Sequence, residues 1–115
     1  MNLKIILIYI MMLLTFYALV TTAKEEIKIN WDGLRKEKID LKLPLIIIKG
    51  SKGFLACGYI NVETCNKTQE ACAIVSGVKT HEDMLNAKVK FVSDKAKELG
   101  IEMDMMGAEA IDLIR

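Results

Sequence analysis

A chain of 115 residues is long enough for one domain and too short for two. With 16 Lys and Arg against 15 Asp and Glu the net charge is +1, and aromatic residues are only 6%, so no basic, aromatic-studded face is present and nucleic-acid binding is set aside. The 3 cysteines and single histidine match no zinc-ribbon or zinc-finger spacing, so no metal site is expected.

The cysteines are Cys57, Cys65 and Cys72, with no CxxC pair. An odd count is poor material for a disulfide framework, and the expectation is free thiols in a reducing compartment. The sequon Asn66-Lys67-Thr68 matters only in an exported protein and is discounted.

Ile5 to Ala23 carry no charge and are nearly all apolar. Residues 1–23 therefore form an apolar leader with three readings. The first is a signal-like segment, with Lys4 as n-region and Thr21-Thr22-Ala23 as a weak cleavage site. The second is a transmembrane anchor, because the run just reaches the roughly 20 residues needed to cross hydrocarbon. The third is a start placed too early. Lys24, Lys28, Arg35, Lys36, Lys38 and Lys42 follow the run and only Lys4 precedes it. The positive-inside bias leaves the domain, residues 24–115, in the cytoplasm, with a membrane tether through residues 5–23 under the second reading.

Glu25 to Leu43 alternates apolar and charged residues around Asn30-Trp31-Asp32-Gly33. Asp-Gly is a sharp turn signal, so the spacing predicts a β-hairpin with one apolar face and Trp31 as a lid on the core. Leu45-Ile46-Ile47-Ile48, after Pro44, reads as a strand buried on both faces. Phe54 to Ile60 is the returning strand, and small Ala56 and Gly58 on one face imply a close approach there. Asn61 is placed to cap a short helix. Ala71 to Val75 is another strand, Ser76 to Lys79 the loop leaving it, and Thr80 with Asp83 has capping-box spacing. Leu85, Val89, Val92, Ala96 and Leu99 draw one stripe down a helix ended by Gly100, with a break allowed near Asn86-Ala87. Ile101 to Met103 is a candidate strand, and Ala108 to Ile114 a last helix with Ile111 and Ile114 inward. The fold class expected is α+β: an N-terminal β-hairpin and a core antiparallel or mixed sheet, covered by C-terminal helices and preceded by the apolar segment.

One series of motifs carries a family likeness. It runs from Ile47-Ile48-Lys49-Gly50 through Lys52-Gly53-Phe54-Leu55-Ala56-Cys57-Gly58-Tyr59-Ile60-Asn61-Val62-Glu63-Thr64. It continues with Ala73-Ile74-Val75-Ser76-Gly77-Val78-Lys79-Thr80 and Asp83-Met84-Leu85, then Lys97-Glu98-Leu99-Gly100-Ile101 and Gly107. The series resembles the YunC-like family of small bacterial and archaeal proteins, whose domain has no assigned function. The resemblance implies an N-terminal β region that mediates tetramerisation. Carried onto this chain, it implies a homotetramer assembled through residues 25–43. Two departures stand out: Gln69-Glu70 replaces a Gly-Asp-like step, and Ala108 replaces a basic residue after the C-terminal glycine. If that basic residue serves a site, the contact is lost here.

Two places could carry chemistry. Cys57 is the candidate nucleophile or redox thiol, which needs a lowered pKa, and the structural alternative is a buried strand cysteine. Gly77, Val78, Lys79 and Thr80 lead into a helix start, where free N–H groups and Lys79 could hold a carboxylate or phosphate. The structural alternative is an ordinary strand-to-helix turn, since the Walker spacing is missing. His81 could act as a base near Cys57 or sit in solvent. Cys65 and Cys72 read as structural, and Met103, Met105 and Met106 as core filler or an adaptable surface. The leading function is an oligomerising binding or scaffold module. The alternative is a small-molecule enzyme or ligand binder using Cys57 and the Gly77–Thr80 loop. No substrate, cofactor or reaction class is legible.

Overall fold

The computed structural model describes residues 2–22 and 26–115, with side chains described through Thr15 in the first stretch. The expected junction at residues 23 and 24, the cleavage motif's Ala23, and Glu25 of the predicted hairpin lie outside the described residues. Helix α1 (Leu3–Thr22) is largely apolar, with Lys4 as its one charged residue, and its described side chains are exposed. Among the described residues no helix is long and apolar enough to cross a membrane, so the anchor reading gains no support there.

Five strands form one mixed sheet in sequence order: β1 (Arg35–Ile39), β2 (Leu45–Lys49), β3 (Phe54–Ala56), β4 (Cys72–Ile74) and β5 (Phe91–Val92). All neighbours pair antiparallel except β3 and β4, which are parallel. A parallel pair needs a crossover, and helix α2 (Val62–Thr68) supplies it. Its cap is the predicted one, since the Asn61 side chain accepts from the Glu63 N–H at 2.8 Å. The α+β expectation holds.

Register partners show how the sheet divides the core. One row runs Lys36, Ile48, Leu55, Ala73, Val92, and the next runs Glu37, Ile47, Ala56, Ile74, Phe91. Side chains alternate across the sheet, so these rows lie on opposite faces. Ile48, Leu55, Ala73 and Val92 join the main core with Met84 and Leu85 of α3 (His81–Asn86), Ala96 of α4 (Asp94–Glu98), and Ala110, Ile111 and Ile114 of α5 (Gly107–Ile114). Ala56 and Ile74 form a smaller core with Cys65 and Cys72, under α2. Trp31 packs on the main core as a lid, with Lys36 Nζ 4.5 Å over its ring.

Four expectations are corrected. The hairpin does not turn at Asp32-Gly33: that step is a turn, closed by Leu34 N–H to Trp31 O at 3.0 Å, but residues 26–34 form no strand. The hairpin is β1 with β2, and it turns through Asp40 to Leu43. The Leu85–Leu99 stripe is not one helix. α3 ends at Asn86, β5 pairs with β4, and Ser93 starts α4 by accepting from Ala96 N–H. Apolar residues inserted from three short elements reproduce a helical period there. Ile101 is buried but makes no strand, and Asp104 turns with φ 68°. Finally, Cys65 and Cys72 are disulfide-bonded, leaving Cys57 as the free cysteine. The return from α2 through Gln69, at φ 59°, sets their Cα atoms 6.3 Å apart, inside the disulfide range.

Ser93 is the buried polar hub joining these pieces. Its hydroxyl accepts from Cys72 N–H at 2.9 Å and Ala96 N–H at 3.3 Å, and donates to Glu70 O at 2.8 Å. Ser93→Ala removes a cap and strands buried backbone groups, so it should cost about 1–3 kcal/mol. Urea unfolding measures this, and a change below about 0.5 kcal/mol, the usual range for an inconsequential substitution, would reject the hub role. The disulfide has its own check. Chain unfolded without reductant should titrate one thiol, rising to the 3 of the sequence after reduction. Full titration before reduction would reject the bond.

Candidate functional site

The parallel pair fixes where the candidate residues meet. The carboxyl ends of β3 and β4 point the same way, so the segments leaving them emerge side by side. Cys57-Gly58-Tyr59 leaves β3, and Ser76-Gly77-Val78-Lys79 leaves β4 after Val75, whose N–H donates to Ala56 O at 2.9 Å. The antiparallel strand β2 begins at this same end, bringing Leu43 and Pro44. These nine residues line a pocket of about 370 Å³. Crevices outside strand carboxyl ends are a recurrent ligand position in open α/β sheets.

Cys57 is buried, only 4% exposed, and continues the β2–β3 ladder. Its N–H donates to Ile46 O at 3.1 Å, and its Sγ accepts from Ile46 N–H at 3.5 Å. Its carbonyl oxygen accepts from Ile60 N–H at 3.1 Å, closing a turn with Gly58 and Tyr59 at its tip. Tyr59 is exposed. The close approach expected at Gly58 is absent, because a Cβ there meets nothing within 4 Å. Ala56 alone lies under α2 in the smaller core.

Two backbone donors of the loop already have a partner within the chain, which leaves the Lys79 ammonium as its cationic group at the pocket. Thr80 and Asp83 form a complete capping box. Asp83 Oδ2 accepts from Lys79 N–H at 3.1 Å and Thr80 N–H at 3.2 Å, so the chain's own carboxylate holds these donors. Gly77 takes φ 72°, the bend the loop needs. Gly77, Val78 and Lys79 line the pocket, whereas Thr80 stands outside the lining as the helix cap.

His81 does not line the pocket either. Its Nε2 lies 2.9 Å from Glu37 O, tying α3 to β1. The structure thus brings Cys57 together with Gly77–Lys79 and sets the proposed base elsewhere. Leu43, Pro44, Gly58, Tyr59 and Ser76 are lining residues that the sequence reading did not name for the site. Their signal is positional, since each sits just outside a strand end, but using it requires the pairing directions. No cluster of metal-binding side chains occurs among the described residues.

The comparisons with known proteins agree with this architecture. The crystal structure of a protein of unknown function, TA1206 from Thermoplasma acidophilum, matches with a TM-score of 0.63 and 36% identity, covering 71% of this chain and 93% of that one. The uncharacterized protein YunC of Bacillus subtilis (strain 168) is 30% identical over 80 residues, which span 64% of this chain and 79% of that protein. The profile of the family described as "Domain of unknown function (DUF1805)" matches residues 56–114. That match begins at Ala56, so it takes in both segments that meet at the pocket and leaves out Leu43 and Pro44. On the extent of that profile and the identity to YunC, the chain belongs to the DUF1805 family.

Proposed function

We propose that the chain is a binding module that assembles with copies of itself through the β1–β2 hairpin. The observation that carries this is three apolar side chains at the end of that hairpin, Ile39, Leu41 and Leu43, which are 55%, 49% and 61% exposed. They lie on the last residue of β1 and in its turn, and among the described residues β1 is an edge strand with one unpaired side. An edge with apolar neighbours is a template for pairing. Burying one Leu or Ile yields about 1.5–3 kcal/mol, and a two-fold contact counts each residue twice. That is commensurate with the roughly 4–15 kcal/mol that association costs in lost freedom. The charged side chains of Arg35, Lys36, Glu37 and Lys38 confine the contact to the hairpin's end. The tetramer that the family resemblance implies is the expected assembly.

A second reading is favoured by the pocket itself. Cys57 and the Gly77–Lys79 loop share one concave site of ligand size, which fits a small-molecule binder. A catalytic thiol is the finer version, with Tyr59 and Lys79 lining the same pocket as Cys57.

Native mass spectrometry of the full chain should show a tetramer, and Leu41→Asp should shift it to smaller species. Monomer throughout the micromolar range, or a Leu41→Asp assembly like the wild type, would reject this contact. A tether through residues 5–23 is a separate proposal with its own measurement. Full-length protein should stay with membranes after a high-salt wash, and removal of residues 1–23 should free it. Release of the full chain by salt would end that proposal.

A further inference from the structure

Gly58 is a glycine that the fold does not need. A Cβ at Gly107 would stand 1.8 Å from Met84 O, so packing dictates that residue. Gly77 and Gly100 have φ in the left-handed region, so backbone conformation favours glycine there. Gly58 meets neither condition: its φ is not positive, and a Cβ would meet nothing within 4 Å. What it does is line the pocket. A Cβ at this lining position would stand in open space.

The rest of the lining describes what would occupy that space. Leu43, Pro44, Val78 and the Tyr59 ring supply an apolar wall, with Cys57 and Ser76 as small polar groups. Lys79 is the one charged lining residue, and it makes no ion pair among the described residues. An apolar pocket with one or two placed polar groups is the usual form of a small-molecule site, and about 370 Å³ lies near the low end of the roughly 300–1,000 Å³ such sites span. A cation would be repelled by Lys79. The Asp83 carboxylate holds the Lys79 and Thr80 N–H groups from outside the lining, so the lining offers an anion one charge, the Lys79 ammonium. One negative charge on an apolar body matches that single cation and the apolar wall.

We propose that the pocket binds a small organic monocarboxylate. Its apolar body packs on Leu43, Pro44 and Val78, its carboxylate meets the Lys79 ammonium, and Gly58 keeps the space open. This rests on the ligand-binding reading of the pocket rather than on the assembly reading.

The test uses full-length chain with benzoate as probe and benzamide as its neutral isostere, each followed by saturation-transfer NMR. Benzoate should bind the wild type about fivefold or more tightly than benzamide, the size expected of a hydrogen bond to a charged group. Lys79→Gln should erase that preference. Gly58→Leu should weaken both probes at least tenfold while the melting temperature stays at the wild-type value. Equal or tighter binding of benzamide to the wild type overturns the carboxylate assignment and leaves the ligand-binding reading standing. Binding of neither probe at millimolar concentration overturns both. Undiminished binding to a folded Gly58→Leu overturns the role of Gly58, and Lys79→Gln gives an independent decision should that variant fail to fold.

Discussion

Helix α5 lies on the sheet only because two glycines leave room at its ends. At its first residue, Gly107, a Cβ would collide with Met84 O of α3. At its last turn the Ile114 carbonyl takes the place that a Cβ on Gly50 would fill, 2.1 Å from that position, and it accepts from Lys52 N–H at 2.8 Å. Gly107 N–H donates to Ala87 O at 2.8 Å. The helix is thus held at both ends by backbone contacts, and at those two points no side chain stands between it and its neighbour. That closeness lets Ala110, Ile111 and Ile114 reach Leu55 and the buried isoleucines of β2. Close packing of this kind leaves little slack for added atoms.

With α3, α4 and α5 packed on one face, α2 alone among the described residues covers the other. The smaller core under α2 therefore relies on short-range devices. The Cys65–Cys72 bond links helix to sheet, and the Ser93 hydroxyl ties β4, the Glu70 carbonyl and the start of α4 at one point. A disulfide restrains the unfolded chain as well as the folded one, and a small domain with a divided core benefits from both effects. The helices also leave the carboxyl ends of β3 and β4 uncovered, which is where the pocket forms.

What was legible in the sequence was what local chemistry decides. Asn61 caps α2 and Thr80 pairs with Asp83 because each motif is complete within a few residues. The apolar run Leu45–Ile48 is a strand wherever it is placed, and Ile111 and Ile114 face inward from α5 as their spacing requires. The failures all involve a choice of partner. Arg35–Ile39 pairs forward with β2, across Pro44, because residues 26–34 never extend into a strand. Val89 and Val92 fit a helical stripe, yet Val92 pairs with Ala73 as a strand residue. An odd number of cysteines hid a bonded pair that only the return of the chain after α2 brings together. The site was half legible for the same reason. Cys57 and Gly77 each follow a strand, but only the parallel pairing of those strands sets them beside each other.

Leu43 belongs to two surfaces. It is one of the exposed apolar side chains at the hairpin's end, and it forms part of the pocket wall. A neighbouring copy that covers Leu43 would reshape the pocket, and a ligand packed against Leu43 would alter what that copy meets. Binding and assembly through these surfaces are then linked equilibria, so each shifts the other by the same free energy. The glycines sharpen the contrast between this end of the molecule and the α5 seat. Gly50 and Gly107 are glycine because the fold has no room for a side chain, and those positions govern stability. Gly58 is glycine where the room is free, and under the binding proposal that room belongs to the ligand.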